Sequence, residues 1–194
     1  MKYLLILLSM AFSVNALAES DWSKLPKKKQ TQLGLYMSPS QAHNVMAKEG
    51  DKTLFIDVRT REEVNFLGMP TSADANIPYM KLNEWMAWNE KKGNFKMEVN
   101  SEFSDVIEER IASKNLSKNG RIILICRSGS RSAKASDLLA KLGYTNVYSV
   151  TEGYEGDKAK KGNNKGQRIV NGWKNAGLPW TYKLNKEKMY MVSN

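Results

Sequence analysis

Cysteine and histidine are scarce in this sequence of 194 residues, which holds one of each, Cys126 and His43. A single cysteine cannot form a disulfide within the chain, and its isolation argues against a thiol–disulfide oxidoreductase that uses a Cys-x-x-Cys pair. His43 lies in a predicted helix, where we interpret it as a surface or packing residue, so a Cys–His protease has little support. Nothing in the sequence predicts a metal site or a cofactor.

Long hydrophobic runs are also absent. The most apolar segment, residues 3–14, is too short to cross a bilayer. It follows a positively charged start and precedes an Ala-Leu-Ala ending at residues 16–18, which predicts a cleaved secretory signal over residues 1–18 and a periplasmic mature protein with no integral membrane segment. An uncleaved anchor is the alternative, whereas a lipoprotein anchor is excluded because no cysteine lies near the cleavage point.

Acidic residues are fewer than basic ones, with 20 Asp and Glu against 30 Lys and Arg, which gives a formal net charge of +10 at pH 7. Removal of residues 1–18, which contain one lysine, leaves +9. In an exported protein we expect this charge to attract small anionic substrates or envelope surfaces, an envelope protein partner among them, and not nucleic acid; the alternative is that it simply keeps the protein soluble. An unpaired cysteine in an oxidising compartment is then either a liability or the centre of the function.

The most informative stretch is residues 121–143. Four consecutive apolar residues at 122–125, three of them β-branched, predict a strand that is buried on both faces, as in a parallel sheet. Apolar residues at helical spacing follow, and Gly143 stands where a left-handed C-cap is expected. A strand therefore leads into a helix through a loop, residues 126–131, that begins with the only cysteine.

This loop has the composition of an anion-binding site around a nucleophile. Backbone N–H groups are free at the start of a helix, and Gly129 leaves room for them to converge. The helix dipole, Arg127 and Arg131 favour a negatively charged sulfur. The predicted site comprises Cys126 as the catalytic residue and an anion-binding loop of Arg127, Ser128, Gly129, Ser130, Arg131 and Ser132. The alternative, an inert buried cysteine, leaves the arginines, serines and glycine without a purpose.

The sequence Cys-Arg-Ser-Gly-Ser-Arg-Ser resembles the active-site loop of single-domain rhodanese-type sulfurtransferases. Rhodaneses have four residues between the cysteine and the arginine, as this chain has between Cys126 and Arg131, whereas the related phosphatases and arsenate reductases have five. The resemblance implies an α/β fold with a mainly parallel central sheet and helices on both faces. It also implies a persulfide on Cys126, and the shorter loop disfavours a phosphatase.

Two further segments resemble the same family. Residues 53–58 predict a buried strand that carries Asp57 and leads to Arg59, and residues 60–63 form a capping box that opens a short helix. Because parallel strands present ligand sites at their carboxyl ends, we expect Asp57 and Arg59 on the rim that holds Cys126, with Asp57 paired to an arginine of the loop. A surface pair of little consequence is the alternative for Arg59. Residues 151–156 resemble the glycine-containing loop beside the pocket.

Other segments predict the surrounding elements. Ser38 as N-cap and Pro39 at the first helical position open a helix that ends near Glu49. Apolar positions over residues 103–111 predict another helix, and residues 146–150 predict the last strand.

Part of the chain departs from the family pattern. Met69 stands where a histidine is usual, so no role is assigned to that position. We predict that residues 79–88 pack in the core, with a position at the mouth of the site as the alternative, and that residues 91–100 are a polar connection. A basic insertion at residues 157–170 either overhangs the Cys126 pocket, where it would hold an anionic substrate or partner, or is merely solvated.

These interpretations divide the chain into a signal peptide, a polar arm at residues 19–34, a rhodanese-like domain at residues 35–180 and a tail at residues 181–194. The lysines at residues 27–29 of the arm are interpreted as a solvated cluster.

The predicted function is transfer of sulfane sulfur from a small anionic donor such as thiosulfate onto Cys126, and then to cyanide or to an external thiol, because no second cysteine is present to resolve the persulfide. The alternative is a sulfur-carrier or anion- or partner-binding module of the cell envelope with little turnover. A redox sensor is a third, weaker hypothesis.

Overall fold

The fold is taken from a computed structural model that describes residues 22–191. The predicted signal peptide, the first residues of the arm and the last three of the tail lie outside the described residues. Four α-helices are present in the described part, and they are α1 (Pro39–Glu49), α2 (Arg61–Leu67), α3 (Phe103–Ser113) and α4 (Ser130–Lys141). The strands, in chain order, are β1 (Tyr36–Met37), β2 (Thr53–Asp57), β3 (Met69–Pro70), β4 (Ala75–Asn76), β5 (Met80–Leu82), β6 (Trp88–Asn89), β7 (Asn94–Phe95), β8 (Met97–Val99), β9 (Arg121–Ile125), β10 (Val147–Val150) and β11 (Trp180–Thr181).

A five-stranded parallel sheet in the order β1-β10-β9-β2-β4 forms the centre of the molecule. The apolar run of β9 occupies the middle position and is fully buried from Ile122 to Ile125, as predicted. β2 runs beside it in a register that pairs Asp57 with Ile125. The carboxyl ends of these two strands are therefore level, and the residues that follow them meet at one edge of the sheet.

Helices cover both faces of this sheet, as the resemblance implied. On one face, alternate residues of β2 and β9 such as Leu54 and Leu124 pack with Phe103 of α3 and Leu139 of α4. On the other face, Phe55 and its neighbours pack with residues of α1 and α2 and with one buried tryptophan, in a set that comprises Ala42, Val64, Phe55, Ile123, Ile125 and Trp173. Alternate residues of these buried strands thus belong to two hydrophobic cores on opposite faces of the sheet.

The helix boundaries follow the sequence signals. The side chains of Ser38 and Thr60 each accept the backbone N–H of the third residue of the helix that they cap. The side chains of those third residues, Gln41 and Glu63, accept the backbone N–H of Ser38 and Thr60, so both predicted capping boxes are present. Gly143 has a φ of 89° one residue beyond the end of α4's C-cap, as expected of a left-handed glycine.

The prediction that residues 79–88 pack in the core is confirmed for Tyr79, which is buried against Phe103, and was wrong for residues 81–88, none of which is buried. They form two small antiparallel pairs with residues 94–99, β5 with β8 and β6 with β7, so the predicted polar connection is also a strand region. Trp85 lies at the turn and is 87% exposed. Asn89 and Gly93 close the second hairpin, because the Asn89 side chain accepts the N–H of Lys92 and Gly93 adopts a φ of 61°.

The arm and the tail pack on the domain. Lys29 is only 4% exposed, so the interpretation of the lysine run as a solvated cluster was wrong for this residue; its ammonium pairs with Asp157 at 2.8 Å. In the tail, β11 pairs with β3, and the Tyr190 N–H donates to the carbonyl of Asn76. None of the helices in residues 22–191 is both long enough and apolar enough to cross a membrane.

Candidate active site

Cys126 follows the last residue of β9 and lies directly below the start of α4. Its sulfur accepts the backbone N–H of Gly129 at 3.1 Å and faces the hydroxyl of Ser132 at 3.5 Å. Gly129 has a φ of 94° and is the N-cap of α4, which begins at Ser130. The connection is therefore shorter than the predicted loop, and Ser130 and Arg131 belong to the first helical turn. The backbone folds over the sulfur, which leaves Cys126 only 1% exposed.

Two buried serines form a relay that ends at the sulfur. Ser149 on β10 donates its hydroxyl proton to Ser132 Oγ at 2.9 Å. The Ser132 proton then has two acceptors within reach, Cys126 Sγ and the carbonyl of Gly129 at 3.1 Å. A thiolate is the stronger acceptor because hydrogen bonds to charged groups are the stronger ones. Sequence reasoning missed Ser149, although a lone hydroxyl within a buried apolar strand is a signal for a specific partner.

The glycine-containing loop at residues 151–156 supports the cysteine loop from behind, as the resemblance implied. The N–H of Tyr154 donates to the carbonyl of Cys126 at 2.8 Å, and the N–H of Glu155 donates to the carbonyl of Arg127 at 3.0 Å. The two backbones touch, because a Cβ on Gly129 would overlap the Thr151 carbonyl oxygen. Glycine at this position permits both the positive φ and the close approach.

Arg131 forms a bidentate ion pair with Glu63, with both N–O distances at 2.6 Å. Burial alone would raise the pKa of Glu63, but its hydrogen bonds to Arg131 hold that pKa below the usual value. Burial likewise acts to lower the pKa of Arg131, and Glu63 raises it above the usual value. The pair connects the first turn of α4 to the first turn of α2, so Arg131 fixes the shape of the loop. Its predicted contact with an anionic donor stays a prediction.

The expected pairing of Asp57 with an arginine of the loop was wrong. Asp57 instead binds Arg59, whose Nε lies 3.0 Å from both carboxylate oxygens and whose Nη2 lies 2.6 Å from one of them. Both side chains are fully buried, which also excludes the surface-pair alternative for Arg59. The reason is local: the chain turns at the end of β2, and Asp57 accepts the backbone N–H of Arg59 as well as its side chain.

The buried Arg59 connects three parts of the site. Its Nη2 donates to the carbonyl of Gly68 beyond α2 at 2.7 Å, and its guanidinium carbon lies 3.7 Å from the centre of the Tyr154 ring. Burial acts to lower the pKa of Arg59, and Asp57 raises it above its usual value. Asp57 and Arg59 therefore lie on the predicted rim, where they hold the supporting loop in place.

The mouth of the site contains the side chains that face solvent. Arg127 is half-exposed, with its Nε 3.9 Å from a carboxylate oxygen of Glu155. A cavity of about 640 Å³ lies in front of Arg127 and Arg131 and is bordered by the hairpin residues Phe95 and Met97. The hairpins thus lie at the mouth of the site, which was the alternative position for residues 79–88.

In the described part of the chain, Cys126 is the only cysteine and His43 the only histidine. His43 packs edge-on against Trp173 with ring centres 5.8 Å apart, which confirms its interpretation as a packing residue. Within residues 22–191, no group of three or more His, Cys, Asp or Glu side chains is arranged to hold a metal ion. The chemistry of the site therefore centres on one sulfur, the N–H and hydroxyl groups directed at it, and the cations around it.

A parallel sheet flanked by helices, with a thiol in the loop between the central strand and the following helix, defines a class of α/β proteins that place a cysteine at this position. The family model of the Rhodanese-like domain matches residues 38–160, and the chain belongs to this family.

Relatives and solved structures agree with this assignment. The uncharacterized protein RP600 homolog of Rickettsia rickettsii is 28% identical over 137 residues, which cover 71% of this chain and 89% of that protein. The chloroplastic thiosulfate sulfurtransferase 16 of Arabidopsis thaliana is 31% identical over 100 residues, which cover 52% of this chain and 69% of the relative. The crystal structure of Rv0390 from M. tuberculosis superposes with a TM-score of 0.52 at 25% identity, covering 76% of this chain and 96% of the other. Sulfur transfer is thus supported at the level of the family.

Proposed function

We propose that this protein is a sulfurtransferase that carries sulfane sulfur on Cys126. The observation that carries the proposal is the environment of the sulfur: a buried Sγ at a helix N-terminus that accepts the Gly129 N–H at 3.1 Å and faces the Ser132 hydroxyl. Hydrogen bonds of this kind stabilise a negatively charged sulfur both before and after it takes up a second sulfur atom. The family relationship to thiosulfate sulfurtransferases supports the same chemistry.

In the first step, the Cys126 thiolate attacks the outer sulfur of thiosulfate. A new S–S bond forms at Sγ, the S–S bond of the donor breaks, and sulfite leaves with the bonding electron pair, so Cys126 becomes a persulfide anion. The loop N–H groups and the Ser132 hydroxyl stabilise that charge. Arg127, half-exposed at the mouth, attracts the anionic donor.

In the second step, cyanide or an external thiolate attacks the outer sulfur of the persulfide. The bond from that sulfur to the acceptor forms as the bond to Sγ breaks, and the Cys126 thiolate is released. The acceptor is external because the chain has no other cysteine. We also propose that the protein acts in the periplasm after removal of residues 1–18, which N-terminal sequencing of protein from a periplasmic extract tests.

The direct test is intact mass spectrometry of the mature protein after incubation with thiosulfate without reductant. We expect wild type to gain one sulfur atom and to lose it on addition of cyanide or a small thiol, whereas Cys126→Ala gains none. Absence of any gain with thiosulfate or other sulfane donors, on protein with a titrated free thiol, would overturn the proposal. Hydrolysis of an aryl phosphate that depends on Cys126 would instead favour a phosphatase.

A second candidate is a sulfur carrier with little turnover on small donors. The observation in its favour is that Cys126 is only 1% exposed, which restricts access to the sulfur. Repeated turnover of thiosulfate and cyanide supports the enzyme, whereas a single loading event without turnover supports the carrier.

A further inference from the structure

A deep basic cleft lies next to the cysteine loop and has no part in the chemistry described above. It has a volume of about 1160 Å³ and lies between the middle of the arm, from Pro26 to Lys29, and the insertion at residues 157–170. Ser128 of the cysteine loop forms part of its wall. The family match ends at residue 160, so most of the insertion lies outside the matched residues.

The insertion is folded and fixed to the cysteine loop. A bridge between Lys158 and Arg168 closes it, and Arg168 Nη1 donates to the carbonyl of Gly156 at 2.5 Å. Gly156 in turn donates its N–H to the carbonyl of Arg127 at 3.2 Å. On the opposite wall, the Lys29 ammonium is held by Asp157. The cleft therefore has a fixed position relative to Cys126.

The charge in the cleft is positive and largely uncompensated. Its lining contains one acidic side chain, Asp157, which Lys29 already neutralises. The remaining cations that line it are Lys28, Lys158, Lys160, Lys161, Lys165 and Arg168. None of these six forms an ion pair with another residue of the described part of the chain. Burial and the nearby charge of Arg127 also lower the pKa of Arg168.

The size and lining of the cleft indicate which anion it fits. At about 1160 Å³ it is larger than most small-ligand pockets, and the lysines that line it are exposed, except for Lys29. None of the described residues that line it is aromatic, so it offers no platform for stacking nucleic acid bases. Pro26, Ala159 and Val170 add apolar contacts between the charges. An extended acidic peptide segment matches these features.

We propose that this cleft is the docking site for an acidic polypeptide segment of the protein that exchanges sulfur with Cys126. This inference rests on the proposed sulfurtransferase function for the nature of the partner. In the docked complex, a partner thiolate attacks the outer sulfur of the Cys126 persulfide; the new S–S bond forms on the partner and the Cys126 thiolate leaves. The cleft contributes by raising the local concentration of the acceptor beside Ser128.

The test compares two synthetic thiol acceptors with persulfide-loaded protein. One is a peptide with a single cysteine followed by a run of glutamates, and the other has glutamines in place of the glutamates. The measured quantity is the second-order rate constant for sulfur removal by the glutamate peptide divided by that for the glutamine peptide. Differences in overall reactivity between protein variants cancel in this ratio. For wild type at low salt we expect the ratio to be higher by roughly tenfold than for the cleft variant.

The cleft variant is Lys160→Glu/Lys161→Glu/Lys165→Glu, and the matched control is Lys48→Glu/Lys52→Glu/Lys141→Glu, which makes the same change in net charge on exposed lysines away from the cleft. We expect the control to keep the wild-type ratio. Equal ratios in wild type and cleft variant, or an equal loss in the control, would overturn the proposal.

A binding measurement separates this proposal from the sulfur chemistry. Fluorescence anisotropy of a labelled acidic peptide with Cys126→Ala protein needs no persulfide. Binding that the cleft variant loses and the control keeps supports docking. If wild type takes up no sulfur in the mass-spectrometric test while this binding is observed, only the proposed sulfur transfer is overturned. Tighter binding of an oligothymidylate of equal charge than of the peptide would overturn the assignment to a polypeptide.

Discussion

At the scale of single residues, the sulfur of Cys126 is contacted by the Gly129 N–H and by the Ser132 hydroxyl, and only the second is a side-chain group that a substitution removes. A hydrogen bond from Ser132 to the Cys126 thiolate contributes about 1 kcal/mol, which corresponds to roughly a fivefold change in the ratio of thiolate to thiol. We therefore expect Ser132→Ala to slow alkylation of Cys126 by iodoacetamide at pH 7 by roughly fivefold. Ser136→Ala is the control, because Ser136 lies one turn further along α4 and donates to Val147. Equal rates for both variants would show that the Ser132 hydroxyl does not act on the sulfur.

Gly129 has a second role at the same scale, the close contact between two backbones. Gly129 and Gly143 both have a positive φ, 94° and 89°, but only at Gly129 would a Cβ overlap another chain segment, whereas at Gly143 its nearest neighbour is Lys118 Cδ at 3.9 Å. We expect Gly143→Ala to cost about 1 kcal/mol for the backbone conformation alone, and Gly129→Ala to cost about 3 kcal/mol or more because the loops must separate. Urea unfolding measures both. Equal losses would mean that the two loops separate freely.

Sequence predictability differs sharply among these residues. Cys126, its loop and the rim position of Asp57 follow from local rules, because a strand end and a helix start fix where their neighbours lie. The partners could not be predicted in the same way. Asp57 had three candidate arginines on the expected rim, Arg59 and two in the loop, and only the turn after β2 selected Arg59.

At the scale of elements, the ion pair between Glu63 on α2 and Arg131 on α4 holds the cysteine loop, and its contribution depends on pH. The pKa of Glu63 is lower in the folded protein than its ordinary value of 4.5. The folded state therefore binds fewer protons than the unfolded state in this range, so the stabilisation is complete above about pH 4.5 and is lost as the pH falls through the folded pKa.

We expect Glu63→Gln to reduce the free energy of unfolding by about 2 kcal/mol at pH 7, since it leaves a mostly buried guanidinium without its carboxylate. The difference from wild type should shrink as the pH falls below about 4.5. Urea titrations at several pH values measure it, with Glu62→Gln as the control, because Glu62 is the exposed neighbour on the same turn. A difference that stays constant from pH 7 to pH 3 would contradict the role of the ion pair.

Elements with a local signal were predictable and elements without one were not. Capping boxes at Ser38 and Thr60 fixed the starts of α1 and α2, because each is closed by residues within one helical turn. The hairpins over residues 80–99 had apolar residues at spacings that suit a buried surface. The pairing of β5 with β8 depends on partners more than ten residues apart, and that of β6 with β7 depends on the turn at Gly93, so a pattern of hydrophobicity alone led to the wrong environment for Trp85.

At the scale of the whole molecule, segments from opposite ends of the sequence meet at the cysteine loop. The arm brings Lys29 beside Gly129, where a Cβ would come within 3.2 Å of Lys29 Cδ, and the same lysine binds Asp157 at the start of the insertion. Burial acts to raise the pKa of Asp157, and the bond to Lys29 holds it below its usual value. A run of lysines gives no signal about which member is buried, so this contact could not be predicted from composition.

The contact predicts how the insertion responds to a change in the arm. Lys29→Met removes the ion pair but keeps an unbranched apolar stem, so we expect the segment at residues 157–170 to open more readily and trypsin to cleave it roughly tenfold faster under native conditions, as expected for about 1.4 kcal/mol of local stability. Lys28→Met is the matched control, since Lys28 is the exposed neighbour without an ion pair to a described residue. Mass spectrometry of the first cleavage products locates the cut. If both variants are cleaved at the wild-type rate, the arm does not hold the insertion, and the fixed geometry of the basic cleft depends on Arg168 and Gly156 alone.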